Sequence, residues 1–215
     1  MSMSKFIRFV SAAVVAVMVS VAAHNTAQAA GEFDGSTFKC LDYTNGLGDN
    51  ASSKMQSVLA HLWMQGYLAG YAKGKGTFEL SDKKADEERV ASLLLQRCRD
   101  FPGSSILAVA LQAVAQDVNK VPTKTIADFS LSTYTCGQQL DARSSGAGDA
   151  NKADLAELWA YAFIQGYKNV AAPDMVIAVE NKPVLVGAIA RGCAKNREMT
   201  YLDMTAAVAD KVKLQ

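Results

Sequence analysis

Histidine is almost missing from this chain. Among 215 residues only His24 and His61 are histidines, and His24 lies in a stretch that reads as a removable leader. One remaining histidine leaves zinc centres and Ser-His or Cys-His catalysis with almost nothing to use. Net charge is missing as well. Removing Lys5 and Arg8 with the leader leaves 20 basic residues against 21 acidic ones, a formal charge of −1. A nucleic-acid binder needs a basic face to meet phosphate, so that class is disfavoured. Beyond the leader no run is long and apolar enough to span a bilayer. The four cysteines do not have the spacing of a CxxC redox or zinc motif. Asp42, Asp49, Asp82, Asp86 and Glu87 are spaced like a solvated surface and not like a pair of catalytic carboxylates. Lys73-Gly74-Lys75-Gly76-Thr77 lacks the Gly-Lys-Ser/Thr ending of a phosphate loop and reads as a surface loop. No catalytic constellation assembles, and the expectation is a non-enzymatic protein with no metal and no cofactor.

What is present is repetition. Ser36-Thr37-Phe38-Lys39-Cys40 returns as Ser132-Thr133-Tyr134-Thr135-Cys136. Trp63 follows Cys40 by 23 residues, and Trp159 follows Cys136 by 23. Leu62-Trp63 leads to Gly70-Tyr71, and Leu158-Trp159 leads to Gly166-Tyr167, at the same offset. All four cysteines and both tryptophans fall in this pattern. The chain therefore holds two copies of one small module. The expected boundaries are a signal peptide at 1–29, a first module at 30–118, a linker at 119–131 with Pro122 as its breaker, and a second module at 132–215.

The leader reading rests on Lys5 and Arg8, the apolar run Phe9 to Ala23, and the small-x-small site Ala27-Gln28-Ala29. It predicts export, with a periplasmic or secreted location. Four cysteines in an exported chain form disulfides more often than they stay free. Three pairings are possible. The repeat selects Cys40 with Cys98 and Cys136 with Cys193, because each module should close on itself, over 58 and 57 residues. A loop of that length constrains the unfolded chain by roughly 4 kcal/mol on the entropy model. That matters for modules near 90 residues, whose cores are thin.

Periodicity predicts helices throughout. Met55, Leu59, Leu62, Trp63, Gly66 and Gly70 recur at three and four, with Ser52 or Ser53 as N-cap, and Leu155, Leu158, Trp159, Ala162 and Gly166 repeat that face. The small residues suit the close approach of another helix or a loop. A second helix is expected over about 85–99 with Val90, Leu94 and Cys98 on one face. Its counterpart starts at Pro183 and carries Leu185, Ile189 and Cys193. A third starts near Ser104 with Leu107, Ala110, Leu111 and Val114. Its counterpart opens on Thr200-Tyr201-Leu202-Asp203, the spacing of a capping box, and continues with Val208 and Val212. Each proximal cysteine is expected in a short extended segment. Ser144 to Asp149 reads as a loop, and Met175 to Val179 as a short strand or buried loop whose partner lies in the other module. His61 reads as an exposed or hydrogen-bonded helix residue, and both tryptophans read as core.

Phe38 and Cys40 with Cys98, and Tyr134 and Cys136 with Cys193, resemble the HdeA-like family of periplasmic proteins. Those are small helical domains with an aromatic-x-Cys near the start and one disulfide to a later helix. The longer cysteine spacing and the two copies on one chain depart from the best-known members. The resemblance implies an all-α pair of disulfide-stapled modules with pseudo-two-fold symmetry. It also implies an acid-stress chaperone that opens at low pH and holds denatured proteins on Met55, Leu59, Leu62, Trp63, Leu155, Leu158 and Trp159. With one histidine left, a switch near pH 6 is not expected, and the carboxylates are the expected sensors. The competing classes are an immunity or inhibitor protein for one specific partner, and a small-molecule or lipid carrier with a groove near Trp63, Tyr71, Trp159 and Tyr167.

Overall fold

The computed structural model describes residues 32–47, 51–114, 120–145 and 147–212. The expected signal peptide, Asp49 and the side chains of Ser52 and Ser53 lie outside what it describes. The chain is all-α. In order it runs α1 (Cys40–Asn45), α2 (Ala51–Gly74), β1 (Glu79–Ser81), α3 (Lys84–Asp100), α4 (Ile106–Val114) and β2 (Lys120–Pro122). It continues with α5 (Cys136–Ser144), α6 (Ala147–Asn169), a 3-10 turn (Val179–Asn181), α7 (Lys182–Lys195) and α8 (Tyr201–Lys211). The four helices α1 to α4 recur in the same order as α5 to α8.

Both disulfides join the cysteines that the repeat selects, Cys40–Cys98 and Cys136–Cys193. Each crosses from the first residue of a short helix to the inward face of a later one. Backbone hydrogen bonds reinforce the same junction at matched places. Cys40 N–H donates to the Ser104 carbonyl and Ile106 N–H to the Phe38 carbonyl; Cys136 N–H donates to the Met199 carbonyl and Tyr201 N–H to the Tyr134 carbonyl. The residue before each cysteine, Lys39 or Thr135, is extended. The cysteines themselves are helical, which corrects the expected extended segment. In the second repeat the reason is local: Thr135 and Gln138 form a reciprocal capping box, which starts a helix at Cys136.

α2 and α6 are the centre of the molecule. Residues 59–70 of α2 and 156–166 of α6 are buried without a break. A helix buried on every side must be surrounded by other elements, and here each is covered by its own repeat and by the opposite central helix. The two cross where the sequence is smallest. A Cβ on Gly70 would fall 1.8 Å from the Phe163 carbonyl oxygen, and one on Gly166 would fall 2.0 Å from that of Tyr67. These contacts exchange under the 96-residue offset between the repeats, so glycine is required at both places for the backbones to touch. Aromatic rows run along each helix at i, i+4 spacing. Trp63, Tyr67 and Tyr71 make one row, and Trp159, Phe163 and Tyr167 the other, with neighbouring rings 5.3–6.5 Å apart.

The outer helices follow the predicted faces. Val90, Leu94 and Cys98 of α3 and Leu185, Ile189 and Cys193 of α7 are buried. Thr200 caps α8 by accepting from the Asp203 N–H at 3.1 Å. Two segments differ from expectation, and the connection between the repeats is built into the fold. β2 pairs in parallel with β1, and Phe129 packs edge-on against Trp159 at 6.2 Å. Ser144 to Asp149 is mostly helical, since α5 ends at Ser144 and α6 begins at Ala147. Residues 175–179 form no strand. Ile177 is buried, its N–H donates to Gln165 Oε1 at 2.5 Å and its carbonyl accepts from the Tyr161 hydroxyl, so the loop is held by α6 of its own repeat. No helix among the described residues is long and apolar enough to cross a membrane.

Candidate functional site

The residues expected to hold clients lie inside the fold. Leu59, Leu62, Trp63, Leu158 and Trp159 are buried, and Met55 and Leu155 are partly buried against the core. In the folded chain only Met55 and Leu155 of this set reach the surface, and only in part. Both tryptophans are enclosed, so neither faces a groove, and the Tyr167 hydroxyl is taken up by Asp210. The acidic candidates do not converge. Asp42 and Asp82 are exposed, while Asp86 accepts from Ser81 at 2.5 Å and sits 3.7 Å from Arg89. Lys73 and Lys75 lie over the rings of Phe78 and Tyr71. No group of three or more potential metal ligands occurs among the described residues.

The chemistry instead gathers at one position of the repeat. His61 on α2 and Glu157 on α6 match under the 96-residue offset, and both are buried at 8 % exposure. Glu157 is fully engaged. Arg143 reaches it through Nε at 2.8 Å and through Nη2, while the Arg143 Nη1 pairs with Asp154. Gln139 donates to Glu157 Oε1 at 3.3 Å and accepts from the Tyr134 hydroxyl at 2.8 Å. Burial opposes the charge on Arg143, but the hydrogen bonds and charges of Glu157 and Asp154 outweigh it and raise its pKa. Lys182 is buried beside this cluster, and desolvation brings its pKa down to about 8 against the pull of Glu157 and Asp154. Tyr134 is raised to about 12, first by burial and then by Glu157.

The first repeat has none of these partners. Tyr43, Leu47 and Val58 stand where the second repeat has Gln139, Arg143 and Asp154. His61 keeps a buried Nε2 with no hydrogen-bond partner among the described residues, which corrects its reading as an exposed or hydrogen-bonded residue. Burial lowers its pKa from 6.5 to about 4. Two more polar atoms on the same stretch of α2 go unmet, Trp63 Nε1 and Gln65 Nε2, whereas among the described residues of α6 only Trp159 Nε1 does. Each such atom costs roughly 1–3 kcal/mol when water is excluded. Periodicity gave no hint of this, since α2 has no wet face to set a buried histidine apart. The signal was the alignment of the repeats, which puts His61 opposite a glutamate whose arginine partner the first copy lacks.

No protein-family model, no curated protein and no solved structure matches this chain. The likeness to HdeA-like proteins therefore rests on the residues quoted above.

Proposed function

We propose that this protein is a periplasmic acid-stress chaperone, non-catalytic, built as a covalent pseudo-dimer of two HdeA-like modules and opened by protonation of its core. The observation that carries this reading is the buried His61, whose Nε2 has no hydrogen-bond partner among the described residues; it moves the first sensor from the expected carboxylates to this imidazole. At pH 7 the imidazole is neutral in both the folded and the open chain. Below its ordinary pKa of 6.5 the open chain takes up a proton that the folded chain refuses until about pH 4. Stability is therefore lost as pH falls through that window, and the loss is complete below it. The displacement corresponds to roughly 3 kcal/mol, a large share of the 5–15 kcal/mol that holds an ordinary domain. Stronger acid then removes negative charge from the chain as a whole and leaves general repulsion among 20 Lys and Arg. The bridges keep each repeat compact while α2 opens, and the surface released is Met55, Leu59, Leu62 and Trp63.

The test is tryptophan fluorescence and apolar-dye binding from pH 7 to pH 2, beside an aggregation assay with an acid-denatured client. Opening that begins below about pH 6.5 and coincides with client protection supports the reading. A chain that stays closed at pH 2, or opens and protects nothing, sinks it. A second reading, a binding protein for one specific partner at neutral pH, is favoured by Leu41 and Phe101. Both are about half exposed beside the Cys40–Cys98 bridge, and co-purification of one stoichiometric partner at pH 7 would select it.

A further inference from the structure

A cleft of about 500 Å3 opens between α7 and α8. Met204, Val208 and Val212 form its apolar floor, and Arg191, Lys195 and Lys211 stand along it. Met199, in the turn joining the two helices, is 38 % exposed at its edge. Among the described residues no carboxylate lines the cleft, and no ion pair engages any of its three cations. The acids of α8 are committed elsewhere. Asp203 accepts from the Thr200 hydroxyl at 2.7 Å and Asp210 from Tyr167. Glu198 lies in the turn but outside the lining. Nothing in the architecture of the repeat demands these cations. The matching positions in the first copy are Gln96, Asp100 and Gln116, so the charge is particular to the second copy.

We infer that this cleft binds a single-chain amphiphile with an anionic head group, the head held by Arg191, Lys195 and Lys211 and the chain laid over Met204, Val208 and Val212. Three exposed like charges beside a largely buried apolar floor repel one another until an anion arrives, and their summed field favours an anion over a cation. Methionine adapts to a flexible chain better than a branched side chain does. The volume lies within the roughly 300–1,000 Å3 range of small-molecule sites. An amphipathic helix from a protein partner fits less well, because it needs a groove that takes anchors over several turns, and α8, at 11 residues, is only about 16 Å long. The head-group chemistry is shared by a free fatty acid and by the phosphate of a lysolipid.

The experiment titrates the protein at pH 7 with dodecanoate, dodecyl phosphate and dodecyltrimethylammonium, each below its micelle concentration. Binding is read by calorimetry and located by amide chemical shifts. Both anions should bind, with shifts at Ala188, Gly192, Met204 and Val208, and the cation should bind at least tenfold more weakly. Tighter binding of dodecanoate identifies a fatty-acid source, and tighter binding of dodecyl phosphate a phosphate head group. Arg191→Glu with Lys195→Glu, both exposed positions, should weaken the anions at least tenfold, and Lys211→Glu on the other helix should act in the same direction. Equal binding of the cationic amphiphile, or anion binding unchanged in these variants, overturns the inference. So does an acidic amphipathic peptide that occupies the cleft while dodecanoate does not.

Discussion

The two repeats share a backbone plan and differ in how their cores treat polarity. At one matched position the second repeat buries a glutamate and surrounds it with Arg143, Gln139 and, through Gln139, Tyr134. The first buries a histidine whose Nε2 has no hydrogen-bond partner among the described residues. A buried ionic cluster is weak evidence for stability, because desolvation offsets most of the attraction, but breaking it exposes the full cost of an unpaired charge. A buried neutral histidine costs less at pH 7 and becomes a liability in acid. One fold thus carries two responses: a repeat that is sensitive to substitution and one that is sensitive to pH. The first should open before the second as acid is added.

The largest test strikes what the repeats share. Gly70→Val and Gly166→Val each press a side chain into the opposing backbone, which cannot swing away as a side-chain end could. Each should cost more than about 4 kcal/mol or prevent folding, read by urea denaturation at pH 7. The contacts exchange between the repeats, so the two losses should match within about 1 kcal/mol. If one variant were tolerated and the other not, the reciprocal crossing would not be what joins the repeats. Next comes Glu157→Ala, which leaves Arg143 with only Asp154. It should cost about 2–3 kcal/mol, because Arg143 is partly solvated and keeps Asp154, and Glu157→Ala combined with Arg143→Leu should recover part of that loss. Absence of any recovery would mean that the cluster does not act as a pair.

Removing a bridge should have an effect of similar size. Cys98→Ser and Cys193→Ser, made in the full chain, should each destabilise by about 2–5 kcal/mol. Because the closed loops differ by one residue, 58 against 57, chain entropy predicts equal losses. A larger loss in the first repeat, where α2 already carries three unmet polar atoms, would locate the difference in the folded cores and not in the unfolded chain.

Much of the framework was legible because it is local or repeated. Cysteine spacing selected the pairing, Val90, Leu94 and Cys98 gave α3 its inward face, and Gly66 and Gly70 announced a close approach. What stayed hidden depends on tertiary placement. The three-residue strands β1 and β2 have no alternation long enough to read, and their pairing links residues 41 apart in sequence. Phe129 in the connecting segment looks like any loop aromatic until Trp159 covers it. His61 carries no mark of burial, since on a helix enclosed all round the usual contrast between wet and dry faces is absent.

The smallest effect at neutral pH is expected from His61 itself, and it sharpens the comparison most. His61→Leu removes the unmet Nε2 and adds no charge, so stability at pH 7 should change by no more than about 1–2 kcal/mol, with a gain if the leucine fits the space. The acid response should change far more. The native protein should lose about 3 kcal/mol between pH 6.5 and pH 4 through this group alone. In the variant that slope should disappear, and opening of the first repeat should move down to the range where carboxylates titrate. Denaturation curves at pH 7, 5.5 and 4 measure the slope. Amide exchange, which follows the two repeats separately, tells which one opens first. If His61→Leu left the slope unchanged, the sensors would be the 21 carboxylates and the two repeats would respond to acid alike. If the slope vanished but the second repeat still opened first, His61 would be an acid-sensitive group without being the trigger. Loss of the slope together with loss of client protection between pH 6 and pH 4 would tie the buried imidazole to the chaperone reading.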